Sequence, residues 1–518
     1  MTIRSGLTAA QLIDLLGDPG SFDCWDTPVT AVPADGGYAA SLARARARTG
    51  LDEAVTTGRV LVDGRPLALV VSEFRFLGGS IGVATAERIT RAVERATAER
   101  LPLLALPVSG GTRMQEGSAA FLCMVRITAA VQAHQAAGLP YLTYLRSPTM
   151  GGVFASWGTL GQPVLAEPGA RLGFLGPRVY EELRGVRLPE EVQRAETLAA
   201  RGLVDAVLPP AELPAFVGRL LALLERRTPK AATPRTTAPE VTAPTATTPE
   251  AAGPEEPGPD AWESVRLTRR PGRPGVRELL ARAAGGVLPL TAPILPDGTE
   301  GALVRGLAEF GDRPAVVVGQ QRARPGTERP FTAADLRCVR RTARLAEQLR
   351  LPLVTVVDTA GAELSTRAEL DGVALEIAHC LHTLIALRTP VLAVLLGQGS
   401  GGGALALLPA DRVLAAGHAW LAPLPPEGAS AIVHRDGEHA AELARAQGIG
   451  AHDLAAVGLV DEVLPELPDA AMESEAFCDR VGRAIGRALA ELAAQPEDAR
   501  TAARAIRNRR LGDPTNRS

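Results

Sequence analysis

A chain of 518 residues is too long for one hydrophobic core, and at about 150 residues per domain it suggests roughly two to four. With 46% hydrophobic residues it should fold as ordinary globular protein, while 10 Phe, 4 Trp and 4 Tyr offer few platforms for stacking single-stranded nucleic acid. The balance of 55 Lys+Arg against 58 Asp+Glu, a net −3, excludes a global attraction to DNA, RNA or an anionic membrane.

The N-terminal stretch MTIRSGLTAAQLIDLLGDPG interrupts its apolar residues with Gln11, Asp14 and Asp18, unlike a signal peptide. No apolar run approaches the roughly 18 to 20 residues that cross a bilayer. Cys24, Cys123, Cys338, Cys380 and Cys478 are scattered without a C-x-x-C pair, so neither a local zinc ribbon nor a disulfide framework is expected. These features predict a cytoplasmic protein with no metal site.

Along the chain, an apolar run at 103–108 predicts a strand ending in the turn Ser109-Gly110-Gly111. A long helix is predicted over 114–137. A second apolar run leads to Met150-Gly151-Gly152 and a helix opening at Gly152. From 226 to 263 the sequence turns to Pro, Thr, Ala and Glu (RRTPKAATPRTTAPEVTAPTATTPEAAGPEEPGPDAWE), which cannot bury enough apolar surface to order itself and predicts a linker. The predicted domains are therefore 1–225 and 264–518. In the second, a strand at 353–357 ends in Thr359-Ala360-Gly361. A helix is predicted over 370–386, and another apolar run ends in GSGGG (399–403), with a helix opening at Gly402.

The two pieces repeat one another. LPLLALPVSGGTR from Leu101 parallels LPLVTVVDTAGAE from Leu351, LPYLTYLRSPTMGGVFAS from Leu139 parallels TPVLAVLLGQGSGGGALA from Thr389, and GLVDAVLP parallels GLVDEVLP. The order is kept at an offset of about 250 residues. Strands alternating with helices predict a parallel sheet and an α/β class in both halves.

In each half two strands end in small-residue turns that run into helix N-termini, where backbone N–H groups lack intrahelical partners. Two such turns side by side can stabilise an enolate without a charged side chain. They also suit close helix–strand packing or a phosphate cradle. Walker-type spacing is missing, and GQGSGG at Gly397 lacks the acidic residue that a dinucleotide site requires. GGSIG (78–82) fits a nucleophile elbow in letters, yet no Asp and His can be paired with Ser80. His379 and His382 share a predicted helix face without the Glu of a zinc motif. Backbone donors are what these turns offer.

FRFLGGSIG (74–82), SGGTRMQEG (109–117), SPTMGGVFASW (147–157), AEPGARLGFLGPRV (166–179) and LPEEVQRAETLAARGLVD (188–205) together resemble the β subunit of bacterial acetyl-CoA carboxylase carboxyltransferase. VDTAGAE (357–363), GQGSGGGALAL (397–407), PPEGASAIV (425–433) and the closing GLVDEVLP resemble its α subunit. The resemblance implies two tandem crotonase-like ββα-superhelix domains. It implies transfer of a carboxyl group between carboxybiotin, carried on a separate protein, and the α-carbon of a short acyl-CoA. Carried over residue by residue, the thioester hole falls on Gly110, Gly111, Gly151 and Gly152, and the biotin hole on Ala360, Gly361, Gly402 and Gly403. Arg113 and Arg178 are implied contacts for CoA phosphates, or else helix-face ion-pair residues. No cofactor is expected to be tightly bound. A biotin carboxylase, a biotinyl carrier and further copies of the chain are the implied partners.

The sequence departs from the family in three places. It has no four-cysteine zinc ribbon, its stretch from Gly319 to Pro325 is short and lacks lysine, and DTPGAYPG has become DTAGAELS (358–365). No methionine neighbours a lysine, so no biotinylation site is visible. A biotin-independent decarboxylase of malonyl-type CoA or carrier-protein thioesters, using the same enolate hole, and a non-catalytic scaffold subunit are the alternative readings.

Overall fold

The computed structural model describes residues 6–28, 36–227, 258–294, 301–321, 331–434 and 436–512. In the first half, Val55–Val62 and Arg65–Ser72 form an antiparallel hairpin. It turns at Asp63 and Gly64, whose φ values of 50° and 73° match the twist of a two-residue hairpin. Leu103–Leu106, Tyr141–Leu145, Val164–Ala166 and Ala206–Val207 add in parallel, and Asp23–Cys24 pairs at the far edge, for seven strands. The second half repeats this. The hairpin Leu303–Phe310/Arg313–Gln320 is followed in parallel by Leu353–Thr359, Val391–Ser400, Arg412–Ala416 and Glu462–Leu464. The central strands are buried on both faces, which explains why they read as unbroken apolar runs rather than as alternation.

The third repeated motif has a structural cause. In GLVD, Asp205 accepts the Val164 N–H at 2.7 Å, and its counterpart Asp461 accepts that of Val413 at 2.7 Å. Each aspartate thus ties the chain to the start of a neighbouring strand.

Several boundaries differ from expectation. The helix predicted over 114–137 begins later, as Gly117–Ala136, behind a single 3-10 turn, Met114–Glu116. Gly117 sits at φ 54°, and a Cβ there would lie 2.6 Å from the Gln447 carbonyl of the second half. The helix predicted over 370–386 divides into Thr366–Leu370 and Val373–Ala386 around Gly372, at φ 75°. Most of the predicted linker, 228–257, lies outside the described residues, as do 322–325 of the Gly319–Pro325 stretch. The linker's last residues, 258–263, are described: Asp260 caps the helix Ala261–Thr268 by accepting the Glu263 N–H at 2.9 Å.

The two halves share one apolar core, with Leu122, Val125 and Trp157 from the first in the same cluster as Ile377, Leu381 and Leu384 from the second. Gln135 Oε1 and His382 Nε2 meet across the boundary at 3.1 Å. The C-terminal helix Glu497–Arg510 reaches back onto the first half, where Arg509 donates to both oxygens of Glu87 at 2.8 Å and to Glu94 at 2.6 Å. Burial raises the Glu87 carboxyl, but Arg509, Arg126 and Arg91 outweigh it and hold the group down at about 2, from 4.5. A folded value below the unfolded one gives stability that is complete above about pH 4.5 and lost as the pH falls towards 2. Arg509→Ala is therefore expected to destabilise by on the order of 1 kcal/mol near neutral pH, the pair being partly screened. In thermal melts that deficit should shrink towards about pH 3; a deficit unchanged by acid would contradict this assignment.

Candidate active site

Each half brings its two turns together at the C-terminal end of its sheet. In the first, Met150 donates to the Ser109 carbonyl at 2.9 Å, so the turn after Leu103–Leu106 lies against the turn entering the helix Gly151–Phe154. A Cβ on Gly151 would lie 3.4 Å from Gly111 Cα, and one on Gly111 3.7 Å from Gly151 Cα. A Cβ at these distances would be in ordinary contact, so it is the positive φ of both residues, 59° and 115°, that calls for glycine. In the second half, Thr359 pairs with Gly399, and a Cβ on Gly361 would lie 3.6 Å from Ser400 Oγ.

The halves agree residue for residue. Gly111 and Gly361 have φ of 115° and 128°, and their N–H groups donate to Ser109 Oγ and Thr359 Oγ1 at 3.0 and 3.1 Å. Gly151 and Gly401 open their helices at φ 59° and 61°, a conformation that disfavours any side chain. This fixes the correspondence: Gly151–Gly152 matches Gly401–Gly402. The expected pair Gly402–Gly403 sits one residue further into its helix, and the correspondence observed is the one that the 250-residue offset of the repeat gives. The Gly403 carbonyl accepts from Gln320 Nε2 at 2.9 Å, and a Cβ on Gly403 would lie 3.0 Å from Ala362 N.

The donors are fewer than expected. Gly110 N–H donates to the Gly78 carbonyl at 2.8 Å, and Gly111 N–H is taken up by Ser109. The helix-start groups, Gly152 and Gly402 among them, have no intrahelical acceptor. The GGSIG segment is a buttress: a Cβ on Gly79 would lie 2.0 Å from the Val108 carbonyl, and the Ser80 hydroxyl donates to Leu77 O.

Arg113 is a correction. It is 1% exposed, and its guanidinium donates to Glu53 at 2.6 and 3.1 Å and to Glu116, Tyr38, Thr85 and the Ser80 carbonyl. Burial works against its charge, but Glu53 overrides this and raises its pKa. An arginine so enclosed braces the turn after Gly111 and does not fit a role as a phosphate contact. Arg178 falls in the helix Pro177–Arg184, and its side chain lies outside the described residues. Burial, reinforced by Arg340, pushes His379 down to about 4; burial also lowers His382. Both lie on the helix Val373–Ala386, partly buried, and His382 is the one that meets Gln135 of the first half. Among the described residues no cluster of three His, Cys, Asp or Glu could hold a metal ion.

Two residues at the site carry no sequence signal of their own. Phe174 lies between the turns of the two halves. Its carbonyl is 3.9 Å from a Cβ placed on Gly151, and its ring is 3.2 Å from one placed on Gly402. Glu369, from the second half, accepts the N–H groups of Phe174 and Leu175 at 3.0–3.1 Å. The glycine turns of the two halves therefore belong to one site.

Two hairpin-led α/β domains thus bring their glycine-opened helices together at one site. Residues 4–205 match the carboxyl transferase domain, and residues 259–512 the acetyl co-enzyme A carboxylase carboxyltransferase-like family. The chain belongs to this carboxyltransferase family. It is 53% identical over 515 residues to the probable biotin-dependent acyl-coenzyme A carboxylase beta3 subunit of Mycobacterium tuberculosis, covering 98% of this chain and 99% of that one. It is 40% identical over 521 residues to the acetyl-coenzyme A carboxylase carboxyl transferase subunits beta/alpha of Salinispora arenicola, covering 98% and 91%. Among solved structures, transcarboxylase 12S aligns over 94% of this chain and 90% of its own at 22% identity and a TM-score of 0.37. The beta subunit of geranyl-CoA carboxylase from P. aeruginosa aligns over 95% and 88%, at 19% identity and a TM-score of 0.34.

Proposed function

We propose that this chain moves a carboxyl group between carboxybiotin on a separate carrier protein and the α-carbon of a short acyl-CoA. The convergence of two matching glycine turns on Phe174 carries the reading. In the forward direction the N–carboxyl bond of carboxybiotin breaks, the α-proton of the acyl-CoA passes to the ureido nitrogen thus freed, and a carbon–carbon bond forms between the α-carbon and the carboxyl group. Negative charge develops on the thioester oxygen and on the biotin ureido oxygen, and both call for fixed N–H donors rather than a titrating side chain. The helix start at Gly151–Gly152 serves the thioester, and that at Gly401–Gly402 the ureido oxygen. Biotin carboxylase and a biotinyl carrier are the partners this chemistry needs.

The test is malonyl-CoA or methylmalonyl-CoA incubated with the purified protein, first alone and then with free biocytin. Acyl-CoA should form only with biocytin present. Rapid CO2 release without it would overturn the reading in favour of decarboxylation. We further propose a symmetric homo-oligomer, the closed arrangement that most homo-oligomers take. Light scattering should give at least twice the 54.0 kDa chain mass, and a monomer at micromolar concentration would refute it.

A further inference from the structure

We infer that Glu369 is a positioning residue that holds the strip 173–176 between the two glycine helix starts and thereby sets the register between the two half-sites. The inference rests on the carboxyl-transfer reading for its catalytic consequence.

The strip touches both sides. Gly173 pairs with Met150, the residue leading into Gly151. The Phe174 carbonyl approaches Gly151, while its ring packs on Gly402. Any displacement of the strip therefore moves the first helix start relative to the second.

Glu369 fixes that strip from the opposite half. Its helix, Thr366–Leu370, is capped by Ser365, whose Oγ accepts the Ala368 N–H at 3.0 Å. The altered segment DTAGAELS thus ends in the residue that seats Glu369. The carboxylate is 8% exposed and accepts from Phe174 N at 3.1 and 3.0 Å, from Leu175 N at 3.0 Å and from Gln193 Nε2 at 2.9 Å. Gln193 also donates to the Leu175 carbonyl at 2.8 Å, closing the network on the strip. A carboxylate is an acceptor only, so all its lone pairs can serve these N–H groups. The Phe174 N–H reaches both oxygens, so in Glu369→Gln the new NH2 faces that amide whichever oxygen it replaces, and a donor meets a donor where the strip was held.

Arg509→Ala separates positioning from mere adhesion, because it weakens contact between the halves through Glu87 and Glu94, which make no bond to the strip. Both variants are compared in the full chain by thermal melts, by hydrogen–deuterium exchange of a peptide spanning 172–176, and by malonyl-CoA:biocytin transfer. Glu369→Gln should speed exchange in that peptide at least about 10-fold. It should lower kcat on the order of 100-fold, the scale of an ångström of misalignment, with KM for malonyl-CoA changed less than about threefold. Arg509→Ala should keep kcat within about twofold at a comparable loss of Tm. Glu369→Asp, which keeps both oxygens but is shorter, should fall between wild type and Glu369→Gln in kcat, and it carries the test if Glu369→Gln does not fold. Wild-type exchange and kcat in Glu369→Gln, or in Glu369→Asp where that variant stands in, would overturn the inference. So would a kcat loss no larger than that of Arg509→Ala. Wild-type protein without transfer activity, with the exchange result as expected, would contradict the carboxyltransferase reading while supporting Glu369 as the clamp on the strip.

Discussion

Replacing Gly152 by valine is expected to reduce carboxyl transfer on the order of 100- to 1000-fold, the usual cost of losing one oxyanion donor. Space at this position is already exhausted: a Cβ would lie 2.8 Å from Thr112 Oγ1 and 3.3 Å from Met124 Cγ. Met124 belongs to the buried helix Gly117–Ala136 and cannot swing aside, so the helix start must move and take its N–H groups with it. Because the lost interaction strengthens as charge develops, kcat should fall far more than affinity for the acyl-CoA. Steady-state kinetics of malonyl-CoA:biocytin transfer check this, with a melt to show that the variant folds. A folded Gly152→Val protein with near wild-type kcat would remove the first turn from the mechanism.

Gly402→Val should be equally damaging, and here the nature of the reaction is at stake. A Cβ on Gly402 would lie 2.9 Å from Ile377 Cδ1 and 3.2 Å from the Phe174 ring. The substitution therefore disturbs the second helix start and the strip beside the first. If the second start holds the biotin ureido oxygen, transfer to biocytin should drop on the order of 100-fold or more. A decarboxylase needs an enolate hole alone and would lose only what the displaced strip costs the first start, so CO2 release that tolerates Gly402→Val would favour that alternative.

The internal repeat was the most legible part of the chain, because glycines at strand ends and the aspartate of GLVD are dictated by local backbone demands that both halves share. The sequence also marks the small-residue turns that the structure brings together in pairs. Within GSGGG the positive φ at Gly401 leaves no mark that sets it apart from Gly402 and Gly403; only the 250-residue offset to Gly151 singles it out. Arg113 misleads because a cation beside an expected substrate site and a cation buried against Glu53 read alike, and the partner is 60 residues away in sequence. Glu369 is invisible for the same reason: its acceptors serve backbone amides 195 and 194 residues distant, and backbone amides have no letter. The late start of the helix at Gly117 follows from Gln447 of the other half, a contact that no local pattern encodes.

The most direct measurement follows the carboxyl group itself. Malonyl-CoA labelled in its free carboxyl is incubated with the purified protein and free biocytin, and the label is traced to carboxybiocytin or to CO2. Carboxyl transfer predicts carboxybiocytin and acetyl-CoA in equal amounts, with label transfer abolished in both Gly152→Val and Gly402→Val. Label released as CO2 at the same rate with or without biocytin, and unaffected by Gly402→Val, would contradict it.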